Sequence, residues 1–295
     1  MGYLFVYGTF RKKESNHSFL KDAVLIASQA WLKGTLYDTA KGYPALDLNG
    51  DSAVYGELYE IDQDILSDLD EVEGFKEGRE SNLFVRRTGI IHTDLGEKEA
   101  SYYTAGNRDF LIEEIKSGDW RVHKFIQNPP EELYYFAYGS CMDNERFKKA
   151  KVDHLFTDIV GGGRLKNFSM KYTFCVHDGG RGDIVEDFGE TEGVLYRVNW
   201  DAFDYLFERE GVAPGWYRAA LVDIETSYRT YDDVLTFIVI AKHQESRPPL
   251  HYAREILRGA NPHVSKDYMN KLYNQLVELK LEEKQLLELK TILQQ

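Results

Sequence analysis

The pattern of apolar and polar positions divides the chain into short strands and short helices. Tyr3-Leu4-Phe5-Val6-Tyr7 is a continuous β-prone run closed by Gly8, which predicts a buried strand entering a turn. Residues 32–37 and 53–61 have the same character. After Asp62 the period changes. Ile65, Leu66, Leu69 and Val72 recur at helical spacing, Asp62 is a good N-cap, and Gly74 marks the end of the helix. Residues 84–92 and 99–103 read as strands again. Asn128-Pro129-Pro130-Glu131-Glu132 is then the best linker in the chain, because two prolines and their polar neighbours end any element before them.

Beyond the linker the pattern starts over. Residues 133–140 repeat the opening strand and turn, 193–198 are strand-like, and Asn199 caps a helix over 200–207. Residues 217–224 and 234–242 complete a second set of strands. From about His251 the chain looks helical. Leu272, Leu276, Leu279, Leu286, Leu287 and Leu293 sit among many charges there, which predicts an amphipathic helix packed on the second domain. Their spacing is not a sustained heptad, so no coiled coil is expected. These breaks give an N-terminal domain over 1–128, a second over 133–262 and a helical extension over 263–295.

The two halves share a register. At an offset of 137, Gly56, Leu58, Tyr59, Leu69, Glu71, Glu73 and Gly74 meet Gly193, Leu195, Tyr196, Leu206, Glu208, Glu210 and Gly211. Upstream, Tyr7-Gly8-Thr9 is echoed by Tyr138-Gly139-Ser140. A chain of 295 residues holds about two domains of roughly 150 residues, in agreement with a duplication.

Composition narrows the function. The formal net charge of -13 disfavours nucleic acid and anionic membranes as partners. Cys141 and Cys175 are the two cysteines, too few for a secreted disulfide framework. The N-terminus has no basic segment followed by an apolar one, and no apolar run approaches membrane-spanning length. A cytoplasmic protein is expected. The eight histidines have no metal-ligand spacing, so neither a metal nor another cofactor is expected. Gly161-Gly162-Gly163-Arg164 lacks the Lys-Ser/Thr of a phosphate loop and reads as a turn. Arg181-Gly182-Asp183 reads as part of a glycine-rich loop.

Two repeated features could carry chemistry. Glu73 and Glu210 each precede a glycine at a helix end. The negative carbonyl ends there, together with burial, raise a carboxyl pKa and make it a better base near neutrality. The Tyr-Gly-Thr and Tyr-Gly-Ser turns let backbone approach a ligand, and successive N–H groups there can cradle an anion or a developing oxyanion. Solvated helix-end glutamates and ordinary strand-to-helix turns would leave the same marks, so the repeat alone does not separate architecture from chemistry.

Residues 135–140, with Leu206-Phe207-Glu208-Arg209-Glu210-Gly211-Val212 and Tyr217, resemble the gamma-glutamylcyclotransferase family. Phe5-Val6-Tyr7-Gly8-Thr9-Phe10 with Asn16-His17, and then Leu69-Asp70-Glu71-Val72-Glu73-Gly74, resemble its gamma-glutamylamine branch. The likeness covers nearly all of residues 1–260. It implies an α+β chain of two tandem mixed β-barrels with flanking helices, followed by the C-terminal helical extension. It also implies a small-molecule γ-glutamyl substrate, whose own α-amine attacks its γ-carbonyl to release 5-oxoproline and a free amine. Glu73 and Glu210 would be the proton carriers. Tyr7, Gly8, Thr9 and Phe10 in one half, and Tyr138, Gly139, Ser140, Cys141 and Tyr217 in the other, would bind substrate. The chain departs from the family at Cys141, where Asn is common, and at Phe84, where Tyr is common. A binding module for a γ-glutamyl or amino-acid ligand, and an interaction scaffold using the C-terminal helix, remain open alternatives. The leaving amine and the oligomeric state are not readable.

Overall fold

The computed structural model describes residues 1–294; Gln295, the end of the expected extension, lies outside the described residues. The chain divides into two compact units, Met1–Asn128 and Pro129–Gln295. The first unit contains β1 (Gly2–Val6), β2 (Val24–Lys33), β3 (Thr35–Asp38), β4 (Pro44–Asp47), β5 (Ala53–Ile61), α1 (Gln63–Val72), β6 (Phe84–Thr93), β7 (Gly96–Ala105), β8 (Glu113–Glu114) and α2 (Trp120–Gln127). Five of its strands close a barrel in the order β1-β5-β2-β6-β7. The barrel is mixed: β1 pairs antiparallel with β5 and parallel with β7. Closure leaves no edge strand to pair with another chain. β1 is apolar at successive positions because both of its sides are covered. Phe5 packs with Leu32, Leu58 and Ile91 inside the barrel, whereas Leu4 and Val6 pack with Leu69 of α1 outside it.

The second unit contains β9 (Leu133–Ala137), α3 (Asn144–Ala150), β10 (Ile159–Val176), β11 (Gly179–Val198), α4 (Trp200–Arg209), β12 (Tyr217–Glu225), β13 (Thr230–Val239), α5 (Leu250–Ala260), α6 (Lys266–Glu278) and α7 (Glu283–Lys290). Its barrel has the order β10-β11-β9-β13-β12, again with one parallel pairing, β13 on β9. The α+β fold of two mixed barrels is therefore as the residues imply.

The shared register has a structural part. α1 and α4 lie at the offset of 137 and are capped by Asp62 and Asn199, whose side chains accept from the amides of Ile65 and Ala202. Both helices end in a residue with φ near −77°, Glu73 or Glu210, followed by a left-handed glycine at φ 61° or 65°. Gly56 and Gly193 recur because a Cβ at either would fall 2.2 Å from a backbone oxygen, of Val6 or of Ala137, and against the ring of Phe5 or Phe136.

Four local expectations are corrected. The 32–37 run is two strands, β2 and β3, broken at Gly34. The small sheet β4-β3-β8 was not anticipated. Gly161-Gly162-Gly163-Arg164 is not a turn but part of β10, where Gly162 has no room for a Cβ because the His263 carbonyl passes 2.1 Å from that position. Arg181-Gly182-Asp183 lies within β11, not in a loop, and Asp183 is fully buried against Lys242 at 2.8 Å. The C-terminal region is three helices, and Gln275 of α6 donates to the carbonyl of Met170 in β10. Among the described residues no helix is long and apolar enough to cross a membrane.

Candidate active site

In the first unit, β1 delivers Tyr7-Gly8-Thr9-Phe10 to one wall of a cavity of about 470 Å³, and the end of α1 delivers Glu73 to the same cavity. That volume is in the range of small-molecule sites, roughly 300–1,000 Å³. Phe84 and Tyr103 of the barrel close another side, and Lys41, Gly42, Tyr43 and Pro44 close a third. Gly8 passes so close to Pro44 that a Cβ would lie 2.8 Å from its ring. The Tyr7 hydroxyl is turned away from chemistry, since it donates to the Tyr103 carbonyl at 2.8 Å and so ties the turn to β7. Asn16 donates to Thr9 Oγ1 at 3.2 Å. Among the described residues, the backbone N–H groups of Gly8, Thr9 and Phe10 have no protein acceptor. Buried amides are normally paired, so three successive unpaired ones form a cradle suited to an anion.

A buried cluster fixes this cradle from behind. Arg11 donates to Glu57 at 3.3 Å and to Asp119 at 2.7 Å, while the Lys12 amide and the Tyr59 hydroxyl each donate to Glu57 at 2.8 Å. Glu73 faces the cavity from the opposite side. Burial pushes its carboxyl from 4.5 up to about 8, and no cation is close enough to oppose the rise. The helix end bearing it is clamped through Asp70, which accepts from Tyr103 at 2.8 Å and pairs with Arg86.

The second unit repeats the arrangement with different contents. Tyr138, Gly139, Ser140, Cys141, Glu210 and Tyr217 line one cavity, so every candidate residue of this half is brought together. That cavity is only about 30 Å³, room for one or two waters. Tyr138 donates to the Phe237 carbonyl at 2.6 Å, the counterpart of the Tyr7 bond. Tyr217 donates to the Gly182 carbonyl at 2.7 Å. Burial raises the Glu210 carboxyl, but Arg209 and the Cys141 thiol oppose the rise. Arg209 Nε lies 3.5 Å from Glu210 Oε1 and 3.1 Å from Cys141 Sγ, and its Nη2 donates to Ser140 Oγ at 3.2 Å. The Cys141 thiol is buried and its pKa is raised by that burial.

The sequence reading missed several lining residues. Lys41 and Tyr43 reach the first cavity through the unanticipated β3–β4 hairpin. Tyr252 reaches the second from α5, and its hydroxyl accepts from the Gly182 amide at 3.0 Å. No local pattern marks either, since each is brought in by long-range packing.

Comparison with known proteins agrees with this duplicated geometry. Residues 4–122 match the family described as gamma-glutamyl cyclotransferase, AIG2-like, and residues 190–272 match the AIG2-like family. YkqA of Bacillus subtilis (strain 168), a candidate gamma-glutamylcyclotransferase, is 44% identical over 273 residues, spanning 91% of this chain and 95% of that protein. The crystal structure of YkqA superposes with a TM-score of 0.85, covering 95% of this chain and 99% of that one. The gamma-L-glutamyl-butirosin B gamma-glutamyl cyclotransferase of Niallia circulans is 37% identical over 122 residues, 41% of this chain and 76% of that enzyme. The chain thus belongs to the gamma-glutamylcyclotransferase, AIG2-like, family and carries two such domains in tandem.

Proposed function

We propose that this protein is a cytoplasmic cyclotransferase that releases 5-oxoproline and a free amine from γ-glutamyl amides, with Glu73 and Glu210 as the proton carriers of its two sites. The observation that carries this reading is the pairing, in one open cavity, of the Glu73 carboxyl with the unpaired amides of Gly8, Thr9 and Phe10. The substrate brings its own nucleophile, so none is needed from the protein.

Proton counting shows why one carboxylate is enough. The substrate enters with an α-ammonium, whose pKa is about 8. Its nitrogen must lose one proton to attack the γ-carbonyl carbon and a second as the lactam forms. The amide C–N bond breaks, and the departing nitrogen gains those two protons and leaves as an ammonium. No water is consumed. A carboxyl with a pKa of about 8 is matched to this task, since it accepts from the ammonium and returns the proton with little free-energy loss in either direction. The amides of Tyr7–Phe10, and of Tyr138–Cys141 in the second unit, would hold the substrate carboxylate or the tetrahedral oxyanion. Folding the amine onto the carbonyl is an orientation effect worth up to about 7–11 kcal/mol.

The reading is tested by assaying γ-glutamyl peptides, γ-glutamyl amines and a γ-glutamyl-ε-lysine isopeptide for 5-oxoproline with the parent chain and with Glu73→Gln. The first unit's turnover should fall at least 100-fold in the variant, within the ordinary range for loss of a general base. Parent-level release by a Glu73→Gln, Glu210→Gln double variant would overturn the reading.

A further inference from the structure

The offset of 137 pairs each residue of α1 with one of α4, and the pair just before the two glutamates is sharply unlike. Val72 lines the open cavity of the first unit. Its counterpart is Arg209, whose guanidinium lies among Glu210, Cys141 and Ser140. Three of the groups it touches are the carboxylate and two residues of the turn, and the Tyr205 hydroxyl is a fourth. In the cyclotransferase reading, the carboxylate is the group that a substrate's α-ammonium must approach. Each carboxylate thus has a different neighbour. Glu73 has no cation beside it and faces about 470 Å³ of open space, whereas Glu210 has a cation 3.5 Å away and faces about 30 Å³.

We propose that Arg209 occupies the ammonium subsite of the second unit as an internal stand-in for substrate, so that the residue at position 72 or 209 determines which unit accepts a γ-glutamyl ligand. The proposal rests on the cyclotransferase reading only for the identity of the ligand. The chemistry is direct. A planar guanidinium supplies several N–H donors at fixed angles. Its Nε meets the carboxylate and the thiol sulfur, and its Nη2 meets the Ser140 hydroxyl. An incoming ammonium would have to displace a cation already ion-paired with the carboxylate and hydrogen-bonded to the thiol sulfur and the Ser140 hydroxyl, and would bring fewer donors in a less fitting geometry. Arg209 is also held in place, because its side chain is only 17% exposed. Valine at the same helix position carries neither charge nor reach, and the first cavity stays open.

The test counts binding sites without requiring turnover. L-glutamate carries the α-ammonium and α-carboxylate of the substrate but has no amide to cleave. Calorimetric titration of the parent chain should give one equivalent per chain. Arg209→Val and Arg209→Met should each give two, with the methionine variant retaining the apolar stem of the side chain and much of its packing. A parent chain that binds two equivalents overturns the proposal. So does either variant if it keeps a parent-like circular dichroism spectrum and binds only one. The cyclotransferase reading fails separately, by the absence of 5-oxoproline from parent and variants alike, and the count of L-glutamate equivalents is unaffected by that result.

Discussion

Replacing Glu73 with Gln should stabilise the first unit while removing its activity, and the gain should grow with pH. In the unfolded chain the carboxyl ionises near 4.5, whereas in the folded cavity it ionises near 8. Between these values the folded state holds a proton that the unfolded state has released, so raising the pH favours unfolding. The gap is about 3.5 pH units, and each unit is worth about 1.4 kcal/mol. The cost to the parent is therefore absent below pH 4, about 3 kcal/mol at pH 7 and close to 5 kcal/mol above pH 9. These are upper limits, because water entering the open cavity solvates the half-buried carboxylate. Glutamine has the same shape and no charge, so about 1–3 kcal/mol of the cost should be recovered at pH 9 and almost none at pH 4.5. Glu210→Gln should gain in the same direction but by less, because burial raises its carboxyl too while Arg209 and the Cys141 thiol oppose the rise. Urea unfolding read by hydrogen exchange in segments 63–75 and 200–212 reports each unit separately. If Glu73→Gln is no more stable than the parent at pH 9, or its advantage does not change with pH, the buried-carboxyl reasoning is refuted.

Three further outcomes are expected. The pH profile of kcat/KM should rise through an apparent pKa near 8, because Glu73 must be ionised to accept a proton; an ascending limb centred near 4.5 would contradict its burial. Gly74→Ala and Gly211→Ala should each lose about 1–2 kcal/mol from the left-handed backbone alone. Gly211→Ala should lose more by thermal melting, because its Cβ would meet the Trp216 ring at 2.4 Å, against 2.9 Å to Leu83 at Gly74. In the parent chain iodoacetamide should modify the exposed Cys175 well before the buried Cys141, whose thiol burial holds protonated, as peptide mass spectrometry would show.

The duplication and the elements framing each cavity were legible because they are local. The capped helices at 63–72 and 200–209 follow from Asp62, Asn199 and the apolar spacing after them. The repeated glycines could be found by register, but their cause could not, since it is the approach of β1 to β5 and of β9 to β11. Glu73 and Glu210 looked alike in sequence because their helix ends are alike. Their differing surroundings come from one side chain, Arg209, and from the distant Tyr252, neither of which the repeat ranks above its neighbours. Lys41 and Tyr43 were hidden for a similar reason. They sit in the turn after β3, where the largely polar residues 38–42 mark a break in the apolar pattern but nothing in it says that the turn faces the cavity. The three glycines at 161–163 misled because glycine marks close backbone approach inside a strand as well as a turn.

The central claim is that the substrate's own amine, with Glu73 carrying the proton, displaces the γ-amide without water. The most direct measurement is turnover of a γ-glutamyl amide in H₂¹⁸O, followed by mass spectrometry of the acid product. The expected result is unlabelled 5-oxoproline, formed by the parent and not by the Glu73→Gln, Glu210→Gln double variant. Glutamate carrying ¹⁸O in its γ-carboxyl would contradict the claim, because it would show water as the nucleophile.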